Sequence, residues 1–420
     1  MKIFLTLTLL LLMLYTGLSA QTGEVIDWDY EIDLLARELA EKHPDLFFRT
    51  DSEWYYHAMS MVAKQSPGKS RFQVSIRLQQ VLAAMGDAHT QINYHFLVEK
   101  SHILPLEYYW FEDGIYLLET DKEYEALLGK KLTAVNNVPI EVVIDSLATL
   151  LVLDNHSVVL NRIPQMLTWV QLLEYFGFAD DKELSITVKG STGEKLSRTI
   201  HLPVDLGEMI SVHPSSLPLG WQDQKTFFRE QYFENEHIYY IQYNRCWSRE
   251  VEEDYGSGAS ALFMPSFKEF EKQVYPALKK KEIDKLVFDI RFNKGGHASQ
   301  GTEFISKICK TLPKDHGDIF VLMGRVTSES AITNTVDFMK SADVILVGEE
   351  TSGKPNYFGE VNRFVLPESR LIVSYSTRYF SMLDEDLPTL HPDLVTPLGF
   401  EQYMKGIDPA MEAVRNAPLP

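Results

Sequence analysis

From about Glu230 onward the chain alternates short apolar runs with amphipathic stretches, and this alternation limits the possible fold more than any other feature. Ile238 to Tyr243, Lys285 to Ile290, Asp318 to Met323 and Val344 to Val347 read as strands. The run Lys285 to Ile290, with Leu286, Val287 and Phe288 in succession, reads as a strand buried on both faces of a parallel sheet. Phe263 to Leu278, Ser299 to Cys309 and Ser330 to Lys340 read as the intervening helices. Such an order predicts an α/β layered domain with a largely parallel core, spanning 230–420.

The earlier part of the chain has a different character. Met1-Lys2, the apolar run Ile3 to Tyr15 and the small residues around Gly17 to Ala20 have the layout of a cleavable secretory signal over 1–20. The run is short for a membrane span of about 20 residues, so the expected product is exported, periplasmic or extracellular, with no stable span after cleavage. Residues 21–102 read as a helical segment: Ile32, Leu35 and Leu39 recur at helical spacing, and Trp54 to Ala63 and Phe72 to Met85 form two further amphipathic stretches. Over 103–205 come strands at Leu104 to Phe111, Gly114 to Leu118 and Lys131 to Val135, then a helix at Pro139 to Leu151. A helical insertion at Asn155 to Phe178 precedes closing strands at Leu184 to Lys189 and Ser197 to Leu202. This order resembles a degenerate PDZ domain without the usual glycine-rich carboxylate-binding loop. A linker at 206–229 would join it to the α/β domain.

Charge and cysteine content narrow the function classes. Forty Lys and Arg against 59 Asp and Glu leave a net charge of −19, which argues against nucleic acid, where affinity depends on cations displacing counterions. Two cysteines, Cys246 and Cys309, exclude a disulfide-rich scaffold and a four-cysteine zinc site. No metal or cofactor is implied.

Three short segments of the α/β domain could carry chemistry. Asp289 to Gly296 is a strand running into a double glycine, where backbone can approach a ligand and present N–H groups. Val326 to Ala331 lies between a strand and a helix, where free N–H groups and the helix dipole favour developing negative charge; an N-cap serine looks the same in sequence. Gly348 to Lys354 is a glycine-rich loop with a lysine whose spacing does not fit a P-loop. A lysine in a dry pocket can lose its proton and act as a base.

In this order the segments resemble the tail-specific or C-terminal processing peptidase family, serine hydrolases that include the tricorn core and the interphotoreceptor retinoid-binding repeats. Asp289-Ile290-Arg291-Phe292-Asn293-Lys294-Gly295-Gly296 is similar to the family's Asp-x-Arg-x-Asn-x-Gly-Gly strand end. Thr327-Ser328-Glu329-Ser330-Ala331 is similar to its nucleophile segment, and Gly348-Glu349-Glu350-Thr351-Ser352-Gly353-Lys354 to its general-base loop. His391-Pro392-Asp393 resembles the Pro-Asp that closes the domain, and Gly86-Asp87-Ala88-His89-Thr90 the Asp-x-His-Thr motif of the tricorn-like branch.

The resemblance implies a crotonase-like layered catalytic domain and a peptidase acting on peptides or unfolded proteins. Ser330 is the expected nucleophile, His89 or Lys354 the base, and the amides of Ala331 and Gly295 or Gly296 the oxyanion donors. Near neutral pH an imidazole is the easier proton acceptor. Two departures leave room for a catalytically inactive peptide- or lipid-binding protein on the same scaffold: Phe358 replaces the Gln that orients the lysine in bacterial processing enzymes, and Glu329 is unusual before a nucleophile. An esterase using the same serine is a third reading. Cys246 reads as a buried structural thiol, His297 as a solvated loop residue, and Glu250, Glu252, Glu253 and Asp254 as a solvated charged face. Glu385-Asp386 lies where a tricorn-like acidic partner could sit.

Overall fold

The computed structural model describes residues 26–205, 207–312 and 317–418; the expected signal segment lies outside them. The architecture is mixed α/β with three sheets. A six-stranded sheet has strands in the order Leu394–Val395, Val344–Gly348, Asp318–Met323, Lys285–Asp289, Ile238–Tyr243 and Phe228–Phe233. All neighbours are parallel except the edge strand Phe228–Phe233, which runs antiparallel to Ile238–Tyr243. Every residue of Ile238–Tyr243 and Lys285–Asp289 is buried, as the reading of the latter as a doubly buried strand requires.

Helices Phe267–Lys280, Ala298–Thr311 and Ser330–Ser341 cover this sheet, and Phe270, Phe288, Phe304 and Phe338 meet in one apolar cluster. The parallel strands therefore deliver their C-terminal ends to the same edge. There the loop after Lys285–Asp289 meets the turn after Asp318–Met323, a usual place for ligands in open α/β sheets.

A second, antiparallel sheet runs Leu106–Phe111, Gly114–Asp121, Lys131–Val135, Glu183–Lys189 and Lys195–His201, with Met209–Ser211 beside Gly114–Asp121. The expected helical insertion is two helices, His156–Met166 and Val170–Tyr175. The N-terminal helices Trp28–Lys42, Ser52–Gln65 and Arg71–Met85 share one apolar core with this sheet, to which Leu366 and Val373 also contribute. Val373 belongs to the third sheet, the hairpin Tyr357–Val365 and Ile372–Phe380 joined by Gln91–Ile92, and Leu366 to the connection between the hairpin strands. The hairpin thus ties the C-terminal α/β region to the N-terminal helices. Among the described residues no helix is long and apolar enough to cross a membrane.

Candidate active site

The site is built on buried ion pairs that carry no chemistry of their own. Arg291 Nη2 lies 2.6 Å from Asp289 Oδ2, and Arg291 Nη1 lies 2.8 Å from Asp408 Oδ1. Tyr240 OH donates to Asp289 Oδ2 at 2.7 Å. Breaking a buried pair of this kind costs about 3–5 kcal/mol, because the survivor is left charged in a poor solvent. The Asp and Arg of the strand-end motif are therefore a clamp on the end of the strand. Asn293 sets the next step: its Nδ2 donates to Tyr243 O at 2.9 Å, and its Oδ1 accepts from Gly295 N at 2.9 Å.

Gly295 and Gly296 have φ of +97° and +138°, and a Cβ at Gly296 would lie 2.4 Å from Cys246 O. Only glycine fits both the backbone region and the approach. Opposite them, Thr327 Oγ1 donates to Ile290 O at 3.0 Å, and Ser328 N donates to Asn293 O at 3.2 Å. These bonds hold the turn before helix Ser330–Ser341 against the glycine loop. Glu329 takes φ +51°, ψ −120° at the apex. This is a sparsely populated conformation for a residue with a Cβ, costing about 1–3 kcal/mol.

The strained turn presents Glu329, not Ser330, to the histidine. His89 Nε2 lies 3.3 Å from Glu329 Oε1, and the Glu329 side chain runs over Gly295, where a Cβ would come within 2.9 Å of Glu329 Cβ. Ser330 is the first residue of the helix; its hydroxyl donates to Gly296 O at 3.0 Å. Among the described residues it bonds neither His89 nor Lys354. The expected serine–base contact is not made in this arrangement: the residue at the apex of the turn points outward, and the next one is drawn back along the helix wall.

His89 is held by the end of helix Arg71–Met85, which Gly86 stops in a left-handed conformation. Asp87 Oδ1 accepts the His89 backbone N–H at 3.0 Å, and its Oδ2 accepts Thr90 Oγ1 at 2.6 Å. His43 Nδ1 accepts from Asp45 N at 3.1 Å, so its other nitrogen carries the proton and donates to Asp87 Oδ2 at 3.0 Å. Burial would raise the Asp87 carboxyl, but hydrogen bonds from His43, His89 and Thr90 outweigh it and hold the group well below its ordinary range. For His89 burial acts to lower the imidazole, yet Asp87 and Glu329 together raise it to about 10. At neutral pH both ring nitrogens carry protons, and the ring cannot accept another.

Lys354 Nζ donates to Asp386 Oδ2 at 2.9 Å. It shares a cavity of about 340 Å³ with His89, Glu329 and Asp386, and Ser330 is not on that cavity's wall. Phe358, at the position where the resemblance expects a Gln, packs its ring 4.8 Å from the His43 ring.

The expected oxyanion donors divide. Ala331 N donates to Ser328 O at 3.0 Å and Gly295 N to Asn293, so both are engaged. Among the described residues the amides of Gly296 and Ser330 have no acceptor. Those two N–H groups flank the apex residue, not Ser330.

Of the remaining expectations, Cys246 is buried, with its thiol pushed up to about 12 by that burial. His297 stacks on Tyr255, with ring centroids 3.8 Å apart, and is not simply solvated. The acidic run is also more than a solvated face. Glu250 accepts Phe267 N at 2.9 Å and so caps helix Phe267–Lys280, and Glu252 accepts Trp247 Nε1 at 3.0 Å. Asp393 Oδ2 accepts Leu346 N at 2.8 Å, fastening the Pro-Asp segment to the sheet edge. Sequence reasoning missed the role of Glu329 and the backing of Asp87 by His43. The signals available were the odd acid before Ser330 and the His43-Pro44 helix end. Among the described residues no cluster of three or more His, Cys, Asp or Glu side chains is placed to hold a metal ion.

The structure is similar to mature CPAF complexed with lactacystin, with TM-score 0.62 and 10% identity over 93% of this chain and 97% of that one. Mature CPAF matches with TM-score 0.60, 10% identity and coverage of 93% and 96%. The photosystem II D1 C-terminal processing protease matches with TM-score 0.38 and 14% identity, over 92% and 99%. These neighbours match the tail-specific or C-terminal processing peptidase family that the motifs resemble, and at such identity what is shared is the fold. No family model matches the sequence, and no curated protein matches it.

Proposed function

We propose that the chain is an exported protein that receives an extended peptide in a cleft of the tail-specific peptidase type and holds it without cutting it. In this reading 230–420 is the crotonase-like unit, 103–205 the degenerate PDZ-like domain, 21–102 a helical brace and 1–20 the signal, while 206–229, expected as a linker, gives Met209–Ser211 to the antiparallel sheet and Phe228 and Arg229 to the layered one. The observation that carries it is the contact of His89 Nε2 with Glu329 Oε1 at 3.3 Å. A carboxylate stands where a hydroxyl would have to meet the imidazole, and together with Asp87 it raises that imidazole to about 10.

The hydrolytic reading is second, favoured by the Asp87–His89 pair and the free amides of Gly296 and Ser330, each amide worth about 3–4 kcal/mol to an oxyanion. For Ser330 to attack a peptide carbonyl, its hydroxyl must leave Gly296 O, and His89 must lose both Glu329 and a proton. Lys354 as base would have to leave Asp386.

Treating the folded protein with a fluorophosphonate and with casein separates the two. The binding reading expects no adduct on Ser330, no cleavage of casein or of a simple ester, and measurable peptide binding. An adduct on Ser330, with turnover that Ser330→Ala abolishes, would restore the hydrolase. Turnover confined to esters would make that hydrolase an esterase.

A further inference from the structure

The glycine loop opens on its other side into a second cavity of about 850 Å³, between the antiparallel sheet and the α/β layer. Its charge is opposite to that of the chain. Lys225, Arg245, Lys294 and Arg325 stand on its wall against a single acid, Glu107, in a protein with 59 acidic and 40 basic residues. Arg325 is spoken for by Glu349. Lys225 lies close enough to Glu107 to oppose the rise that burial and Glu119 impose on its carboxyl. Arg245 rests over the Phe227 ring at 5.0 Å. Among the described residues Lys225, Arg245 and Lys294 form no ion pair, and all three are exposed at the rim.

The buried wall repeats the same preference. Tyr108 is only 6% exposed, and its hydroxyl has no partner. Gln224 Nε2, also on this wall, has none either, and the Gly296 amide makes a third unmet donor. Burying a donor without an acceptor is unfavourable unless a ligand or water supplies one. Trp221, Tyr109 and Phe292 add flat apolar surface. Unmet donors, unpaired cations and aromatic faces together fit a chain that brings oxygen acceptors, negative charge and some apolar bulk.

We propose that this cavity is the docking groove for an acidic stretch of peptide, whose carboxylates meet Lys225, Arg245 and Lys294 at the rim while its backbone runs past Gly296 and the aromatic wall inside. The proposal rests on the peptide-binding reading and names the class of peptide. The −19 charge of the whole chain does not forbid it, because exposed charges beyond about 8–10 Å are screened at physiological salt while the rim cations lie against the ligand.

The test is fluorescence anisotropy on the intact mature protein with short labelled peptides of matched length: Glu-rich, the Gln-rich isostere and Lys-rich, each as free acid and C-terminal amide. The Glu-rich peptide should bind at least about tenfold more tightly than the Gln-rich one, weaken with added salt, and be released by the triple variant K225E/R245E/K294E. K279E/K280E, at the end of helix Phe267–Lys280, should leave binding unchanged. If amidation leaves binding intact, side-chain carboxylates are the ligands, as proposed; if amidation abolishes it, the terminal carboxylate is the ligand and the acidic stretch is overturned. Equal binding of Glu-rich and Gln-rich peptides, or indifference to the triple variant, overturns the acidic preference while leaving peptide binding standing. Tighter binding of a single-stranded oligonucleotide overturns it in favour of a general polyanion site. Failure of every peptide to bind removes the underlying reading itself.

Discussion

Two cavities flank the turn 326–330, and they treat charge in opposite ways. In the smaller one most ionised groups already have a partner: His89 with Glu329, Lys354 with Asp386 and Asp154 with Arg49, with Arg162 the exception among the described residues. In the larger one the rim cations and several buried donors are unmatched. A set of groups that satisfies itself has little left to offer a ligand, whereas an unsatisfied set gains when one arrives. In the proposed reading the larger cavity is where a peptide is recognised, while the smaller keeps most of its groups paired.

The largest effect that could sharpen this contrast comes from opening the closed side. Glu329→Ser puts a hydroxyl at the apex of the strained turn, opposite His89 and between the free amides of Gly296 and Ser330. The expected result is covalent labelling of residue 329 by a fluorophosphonate, read by intact mass and peptide mapping, where the parent protein takes no label. Labelling of Ser330 in the parent would instead show that the turn works one residue later than its geometry indicates.

A smaller change leaves the turn intact and removes only the charge. In Glu329→Gln, His89 should titrate well below its value of about 10, moving back toward the ordinary imidazole range, as followed by NMR of the ring protons. The sign for stability follows from the raised value. The protonated ring stabilises the fold fully below about pH 6.5, the ordinary value, and that contribution is lost as pH rises through about 10. Denaturant midpoints measured from pH 6 to pH 10 should therefore fall more in the parent than in the variant, and parallel profiles would break the link between the pair and the fold.

The smallest effect concerns the other pair. Asp386 is largely exposed, and such pairs contribute about 0–1 kcal/mol. Lys354→Met should therefore change stability by less than about 1 kcal/mol and leave the His89 titration in place. A large shift of the His89 resonances would show that lysine and histidine form one coupled network, and the two sides of the smaller cavity would need to be treated as a unit.

Much of this was legible before any coordinates. The alternation after Glu230 announced the parallel layer, since each buried strand and each covering helix carries its own short-range pattern. The double glycine announced a close backbone approach, now seen between Gly296 and Cys246. The hairpin Tyr357–Val365 with Ile372–Phe380 was not anticipated; its strands are mostly exposed in the first and mixed in the second, so neither carries a clean alternation. Glu250 and Glu252 looked like surface charge because nothing local reveals that they cap a helix and hold Trp247.

Sequence by itself determined which chemical groups this chain owns and which short segments could bend into turns, because both depend on neighbours a few bonds away. Tertiary structure alone decided which of two adjacent residues meets the imidazole. Glu329 and Ser330 differ by one step in backbone direction, and that step is set by Thr327 and Asn293 bonding across chain segments more than thirty residues apart. A one-residue rotation at a turn exchanges outward for inward, and no local pattern records which of the two the surrounding contacts will choose.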